Sequence, residues 1–489
     1  MPDDSGEPIT VLLNRASASA VDDRVRSRLA EAQNRLHGPL RLAIAGKVKA
    51  GKSTLLNALL GEELAPTDAG ECTKIVTWYA EGPAPQVVVH PLRGEPVSRP
   101  WTRENGALEV DLGDLSAADV DHIAVTWPTS RLRAMTILDT PGIASISADI
   151  SARTHRVLDA VEGRVPVADA VLYLMRHTHA SDVRFLESFH DDELAHGTPM
   201  NSVGVLSRAD EIGSCRLDAL EVADRIARRY EADPRLRRLC PIVLPVDGLL
   251  AHASATLREA EYAMLNTLAQ APREAADELL LTADRFLGRP TLIRLTELER
   301  EHLLDRLGLF GVRLTVELIR TAVVHNAGEL AAELGRRSGL DRLRTVILTQ
   351  FEQRSRILKS RSALAVLNEV LRTDGCRNSA ELRAAAEELA ASTHEFEEVR
   401  LLDAVRSGVV ELPADRLAEL DQLLGGNGHD PASRLGVEPD SDTEQLRLTA
   451  LAALARWQRI AEHPLYGRPV QLAARTATRT LEGLFDQLS

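Results

Sequence analysis

The sequence predicts an α/β P-loop domain, doubly wound around a mostly parallel sheet, followed by an extended all-α helical bundle. Three observations predict it. Apolar runs of strand length alternate with helical sequence from Arg41 to Ala251. A phosphate-loop pattern, GKVKAGKS, stands between the first of these runs and a helix. Beyond about residue 250 strand-like runs vanish, and helical periodicity holds to the end.

Composition narrows the class. At 489 residues the chain calls for two or three domains. Its 44% hydrophobic and 27% charged residues describe a globular protein, and with aromatics at 3% the cores must rest on Leu, Val, Ile and Ala. A net charge of -14, with no Lys/Arg block, argues against a nucleic-acid partner. The same balance opposes unaided binding to anionic lipid. Cys72, Cys215, Cys240 and Cys376 are scattered without CxxC spacing, so neither a zinc site nor a disulfide framework is indicated. The acidic start MPDD precedes too short an apolar run for a signal peptide, and no apolar run is long enough to span a bilayer. The expected location is the cytoplasm, with any membrane contact peripheral, on the inner face of the plasma membrane.

In chain order, residues 18–37 read as an amphipathic helix with Val21, Val25, Leu29 and Leu36 on one face, stopped at His37-Gly38-Pro39. RLAIAG reads as a buried strand, and a helix runs from Ser53 to near Gly61. KIVTWYA, PQVVVH, HIAVTWP and AMTILDTPG follow as strand candidates, then VADAVLYLM, SVGVLSRAD and PIVLPV. In the helical half Leu340, Leu343, Ile347 and Phe351 share a face, as do Leu382, Leu389 and Phe396. Breaks fall at LGRP, at RTDGCRNS and at residues 425–442, whose Gly, Pro, Asp and Ser content reads as a long mobile loop. The divisions expected are 1–40, 41–251 and 252–489.

The motifs carry the chemistry. Gly46 to Ser53 fits G-x-x-x-x-G-K-[ST]. Gly46 and Gly51 let backbone amides, with those of Lys49, Ala50 and Thr54, curl around phosphate oxygens at a helix N-terminus. Lys52 reaches the β- and γ-phosphates, and Ser53 offers an oxygen to Mg²⁺. In LDTPG, Asp139 can orient Mg²⁺ through water, and the Gly142 amide can sense the γ-phosphate; an ordinary Pro-Gly turn is the bland alternative. At SRAD, where GTPases carry [NT]-K-x-D, a carboxylate at Asp210 accepts from guanine N1–H and its 2-amino group. Adenine would leave that carboxylate unpaired. The Arg208 stem can cover the purine plane, whereas Ser207 is less bulky than Asn or Thr. Thr73 is the expected loop residue that closes over Mg²⁺, with Thr67 the alternative. Ile143 follows Gly142, so the water-orienting Gln of many small GTPases is missing. His177 and His179 lack a neighbouring Cys/Asp/Glu cluster and read as ordinary loop histidines.

GKVKAGKSTLLNALLGEELAPTDAGECTKIVTWY, LDTPG, SRADEIG, SGLDRLRTVILTQFEQRSRILKSRSALAVL and the closing HPL together resemble bacterial dynamin-like GTPases over nearly the whole length. The resemblance implies a GTPase head at 41–251, a neck bundle joined by the N-terminal helix within 1–40, and a helical trunk in 252–489. It also implies GTP hydrolysis with Mg²⁺, head-to-head self-association, a paralogous partner, and a role in membrane remodelling or maintenance. One departure concerns Lys49. Dynamins that bind a monovalent cation have a small polar residue at the matching position, and a lysine can take the cation's place. Four of the five lysines lie at positions 47, 49, 52 and 74, where compact charge suits a phosphate cradle better than a planar guanidinium. Lys47 is expected to face solvent, and Lys74 to make a switch or dimer contact. With Ile143 and Ser207 departing from the usual pattern, a second reading stays open: a low-turnover nucleotide-dependent scaffold that regulates a paralogue. For lipid contact only HPLYGRP, with Leu465 and Tyr466, offers an apolar tip.

Overall fold

The computed structural model of the chain describes residues 8–66, 75–104, 107–141, 168–176, 201–288 and 293–488. Its strands are β1 (Leu40–Gly46), β2 (Val76–Glu81), β3 (Gln86–Pro91), β4 (Val97–Ser98), β5 (Trp101–Glu104), β6 (Ala107–Val110), β7 (Val120–Trp127), β8 (Met135–Asp139), β9 (Ala170–Met175), β10 (Ser202–Ser207) and β11 (Val243–Val246). Nine of them form one sheet in the order β11-β10-β9-β1-β8-β2-β7-β3-β4. The run from β11 to β8 is parallel throughout, and β2 then turns antiparallel to β8. The doubly wound, mostly parallel sheet expected from the sequence is therefore present. The short β4, β5 and β6 were not legible as strands.

Central strands of such a sheet are covered on both faces, and their residues follow suit. Leu40, Leu42 and Ile44 of β1 face the larger core, and Ala43 and Ala45 face Val171 and Tyr173 of β9 on the other side. Chain order reverses at β1, which lies between β8 and β9. In open α/β sheets a crevice forms at the carboxyl end of the strands at such a reversal.

The N-terminal helical reading needs a correction. Instead of one helix over 18–37 there are two, α1 (Pro8–Ala18) and α2 (Asp23–His37). The Asp22 carboxylate accepts from the Val25 amide at 2.8 Å and so starts α2 there. Val21 precedes that cap and is exposed, whereas Leu29 and Leu36 are buried. A second correction falls on Phe396. Its expected face-mates Leu382 and Leu389 lie on helix Ser379–Ser392, and Phe396 belongs to the next helix, His394–Arg406.

After β11 the described chain is helical apart from an isolated bridge between Ala20 and Cys376. Two cores divide this half. Helices from Gly248–Thr256 to Ala327–Arg337 bury Leu265, Leu303, Phe310 and Leu330 among themselves. The later helices, with α1 and α2, are continuous with the core of the sheet. Helix Gly248–Thr256 begins two residues after β11 and runs across the division expected at residue 251. Segment 425–442 contains a short helix, Pro431–Leu435. Buried Arg354 donates to the Gly425 carbonyl at 2.6 Å and to His429 Nε2 at 2.8 Å, and Gln350 donates to the Gly426 carbonyl at 2.8 Å.

One carboxylate ties sheet to helices. Asp169, just before β9, accepts from Arg35 of α2 at 2.9 Å, from the Arg41 amide at 2.9 Å and from the Ser362 hydroxyl at 2.8 Å. Its side chain is 2% exposed. Asp169→Ala should cost ~3 kcal/mol, because it leaves the Arg35 charge buried without its carboxylate. A urea titration against wild type measures it, and a midpoint unchanged at equal slope would contradict the tie.

Candidate nucleotide site

The loop after β1 is shaped by three residues with positive φ. Gly46 has φ 153°, and a Cβ there would stand 2.6 Å from the Leu174 carbonyl oxygen. Lys49 has φ 61° and Gly51 φ 86°. Gly51 also caps the N-terminus of α3 (Lys52–Leu60) and has no side chain to bond the first amides, which stay available to an anion. The Lys52 side chain folds back over the loop, with Nζ 3.4 Å from the Gly46 carbonyl and 3.3 Å from the Lys47 carbonyl. Burial pulls its pKa down, opposed by the charge of Asp139. Ala50 is buried, Ser53 and Thr54 are half-buried on the first turn of α3, and Lys49 is exposed.

Asp139 ends β8 level with Ile44 of β1, beside the start of the loop. Burial pushes its carboxyl up to about 6 against the pull of Lys52. Its Oδ1 is buried and meets no hydrogen-bond donor among the described residues. An orphaned buried carboxylate oxygen, close to a loop made for phosphate, fits a divalent cation held directly or through water. Thr140 beside it donates its hydroxyl to the Ile44 carbonyl at 2.9 Å, fixing the end of β8 on β1. Thr73, Gly142, the alternative Thr67, and also Lys74, Ile143, His177 and His179, lie outside the described residues.

At the end of β10, Ser207 is buried and donates to the Met175 carbonyl at 3.3 Å. Arg208 takes a left-handed conformation, φ 52°, and its guanidinium meets Glu211 at 2.5 Å. Arg176 pairs with the same Glu211. Asp210 is buried in the following turn, and burial first, then Glu211, pushes its carboxyl up. A cavity of about 130 Å³ joins the two ends of the site. Ala50, Gly51 and Thr54 line one side of it, and Ser207, Arg208 and Asp210 line the other. Residues 160 positions apart in the chain thus share one pocket, as the motifs imply.

The motif reading missed the third wall, formed by Val246, Gly248 and Leu249 after β11. A Cβ at Gly248 would lie 3.3 Å from Thr54 Cγ2, a tight contact that presses on the Thr54 side chain. Asp247 caps the next helix through the Leu250 amide at 3.0 Å. Burial, then Asp210, holds its carboxyl well above the usual range. A strand ending in Asp-Gly at the same edge as SRAD was the available signal.

Against known sequences, residues 42–207 match the dynamin family. The isoniazid-induced protein IniC of Mycobacterium tuberculosis is 40% identical over 467 residues, 96% of this chain and 92% of that protein. The isoniazid-induced protein IniA of the same organism is 31% identical over 159 residues, 30% of this chain and 22% of IniA. A bacterial dynamin-like protein of Nostoc punctiforme is 30% identical over 171 residues, 32% of this chain and 24% of its own.

Proposed function

The chain belongs to the bacterial dynamin-like GTPases, and from that premise we propose that it binds GTP with Mg²⁺ between the β1 loop and the SRAD turn and hydrolyses it to GDP and phosphate. The observation that carries this reading is the single cavity shared by the phosphate loop and Asp210. Lys52 leaves the Gly46 and Lys47 carbonyls for the β- and γ-phosphates. Ser53 and Thr73, with Asp139 through water, would hold Mg²⁺, which would supply positive charge against the charge that grows between the β- and γ-phosphates. The Gly142 amide senses the γ-phosphate. Asp210 accepts from guanine N1–H and the 2-amino group while the Arg208 stem covers the ring. Competition against a labelled guanine nucleotide tests the base assignment. GTP should outcompete ATP, and Asp210→Asn should erode the preference by ~10²-fold, since an amide cannot accept from both donors. Equal competition by ATP in the wild type would overturn it.

Lys49 is the residue proposed for the missing charge. It is exposed at the rim of the phosphate loop, with no water-orienting Gln after Gly142 to share the work. Lys49→Ser should lower kcat by ~10²-fold with little change in GTP affinity, and added K⁺ should restore part of the rate. A K⁺ requirement in the wild type, with normal turnover in Lys49→Ser, would contradict it.

Assembly and membrane work belong to the same proposal. Heads pair across their nucleotide faces, and a paralogous dynamin-like GTPase is the expected partner; two such relatives, IniC and IniA, occur in one organism. The protein acts in the cytoplasm and touches the inner membrane face peripherally. Among the described residues no helix is long and apolar enough to cross a membrane. Leu465, 88% exposed between helices Thr443–Glu462 and Arg468–Gln487, is the apolar group that a peripheral contact would use.

A further inference from the structure

We propose that helix Glu297–Arg320, which lies outside the nucleotide-binding sheet, sets the guanine preference, with Arg313 as the positioning residue and Gly308 as its spacer. This rests on the base assignment of Asp210 given above. The turn that carries Asp210 continues into an unusual path: Gly213, Ser214 and Cys215 have φ of 63°, 62° and 58°. Left-handed conformations in succession are unfavourable for Ser and Cys and persist only when something outside the loop holds them.

Arg313 supplies the hold. Its Nη1 donates to the Cys215 carbonyl at 2.6 Å and to the Ser214 carbonyl at 3.3 Å. Its Nε and Nη2 donate to the Leu280 and Leu281 carbonyls, each at 2.9 Å. One planar guanidinium therefore pins the base loop to the chain before this helix.

The helix reaches the loop because it breaks. Gly308 has φ 65° and ψ 171°, outside the helical region. A Cβ on it would lie 3.2 Å from Leu249 Cδ1 and 3.6 Å from Asp210 Oδ2. Asp210 and Leu249 both line the cavity, so the bare backbone of the break backs the wall that meets the base. On the turn before the break, Arg306 donates to Glu261 at 2.8 Å and to Glu63, in the loop after α3, at 3.5 Å. The same helix thus also touches the loop that follows α3.

The test is calorimetric titration of the full-length chain, with Mg²⁺, by GTP, ITP and tripolyphosphate. ITP lacks the 2-amino group, so the GTP/ITP ratio reads the aim of Asp210, and tripolyphosphate reads the phosphate loop alone. Arg313→Ala should cut the GTP/ITP preference by about tenfold, with tripolyphosphate affinity unchanged. Arg313→Lys should restore part of it, and Gly308→Ala should act in the same direction as Arg313→Ala. A wild-type preference kept in full by Arg313→Ala, or by Gly308→Ala should Arg313→Ala not fold, overturns the inference and leaves the base assignment standing. Equal loss for GTP and tripolyphosphate also overturns it. A wild type that does not distinguish GTP from ITP removes the base assignment and the inference together.

Discussion

Lys52→Ala should lower GTP affinity by ~10²–10⁴-fold while the fold stays intact. The ammonium group sits over the phosphate loop, bonded to two backbone carbonyls that a phosphate would displace. Each charge-assisted bond to phosphate contributes roughly 1.5–3 kcal/mol, and Lys52 is placed to make two. Alanine keeps the helix propensity of the first turn of α3, so the loss falls on binding and not on folding. Calorimetry with GTP and Mg²⁺ measures the affinity, and circular dichroism checks the fold. Unchanged affinity in a folded variant would move the phosphate site away from this loop.

Asp139→Asn should abolish the tightening of GTP binding by Mg²⁺ and reduce hydrolysis by ~10²–10³-fold, because the amide keeps the shape and loses the charge. The same carboxyl gives a pH signature. Burial raises it to about 6 in the native state, from 3.8 in the unfolded chain. Without Mg²⁺ the native state therefore keeps this proton in a window where the unfolded chain has lost it. Stability falls as pH rises from below 4 through about 6, and the loss is complete above that value. Asp139→Asn should remove this slope from the wild-type profile of Tm against pH. Mg²⁺ and the proton compete for the carboxylate, so Mg²⁺-dependent GTP binding should weaken below pH 6. A Tm profile unchanged by the substitution would place the titration elsewhere.

The sheet was legible because its strands are short apolar runs bounded by turn residues. SVGVLSRAD and AMTILDTPG also announce their functional ends in the same few residues. The two motif ends could be assigned to one pocket because an open parallel sheet delivers strand termini to one edge. Other features leave no mark in the sequence. The break at Gly308 is hidden because Leu303, Leu307, Phe310 and Leu314 keep helical spacing across it. Arg313 is one arginine among many, and its grip on four carbonyls is a tertiary event. The polar 425–442 segment reads as a mobile loop by composition, yet Arg354 and Gln350 bond its carbonyls from another helix and turn. Val21 fits the apolar stripe of α2, but the Asp22 cap excludes it from the helix.

GTP hydrolysis by the full-length chain, followed in single turnover over a range of protein concentrations, tests the GTPase assignment most directly. The expected result is Mg²⁺-dependent conversion of GTP to GDP and phosphate, at a rate that rises with protein concentration as heads pair and that disappears in Lys52→Ala. Tight GTP binding with no hydrolysis at any concentration would contradict the assignment and leave a nucleotide-dependent scaffold in its place.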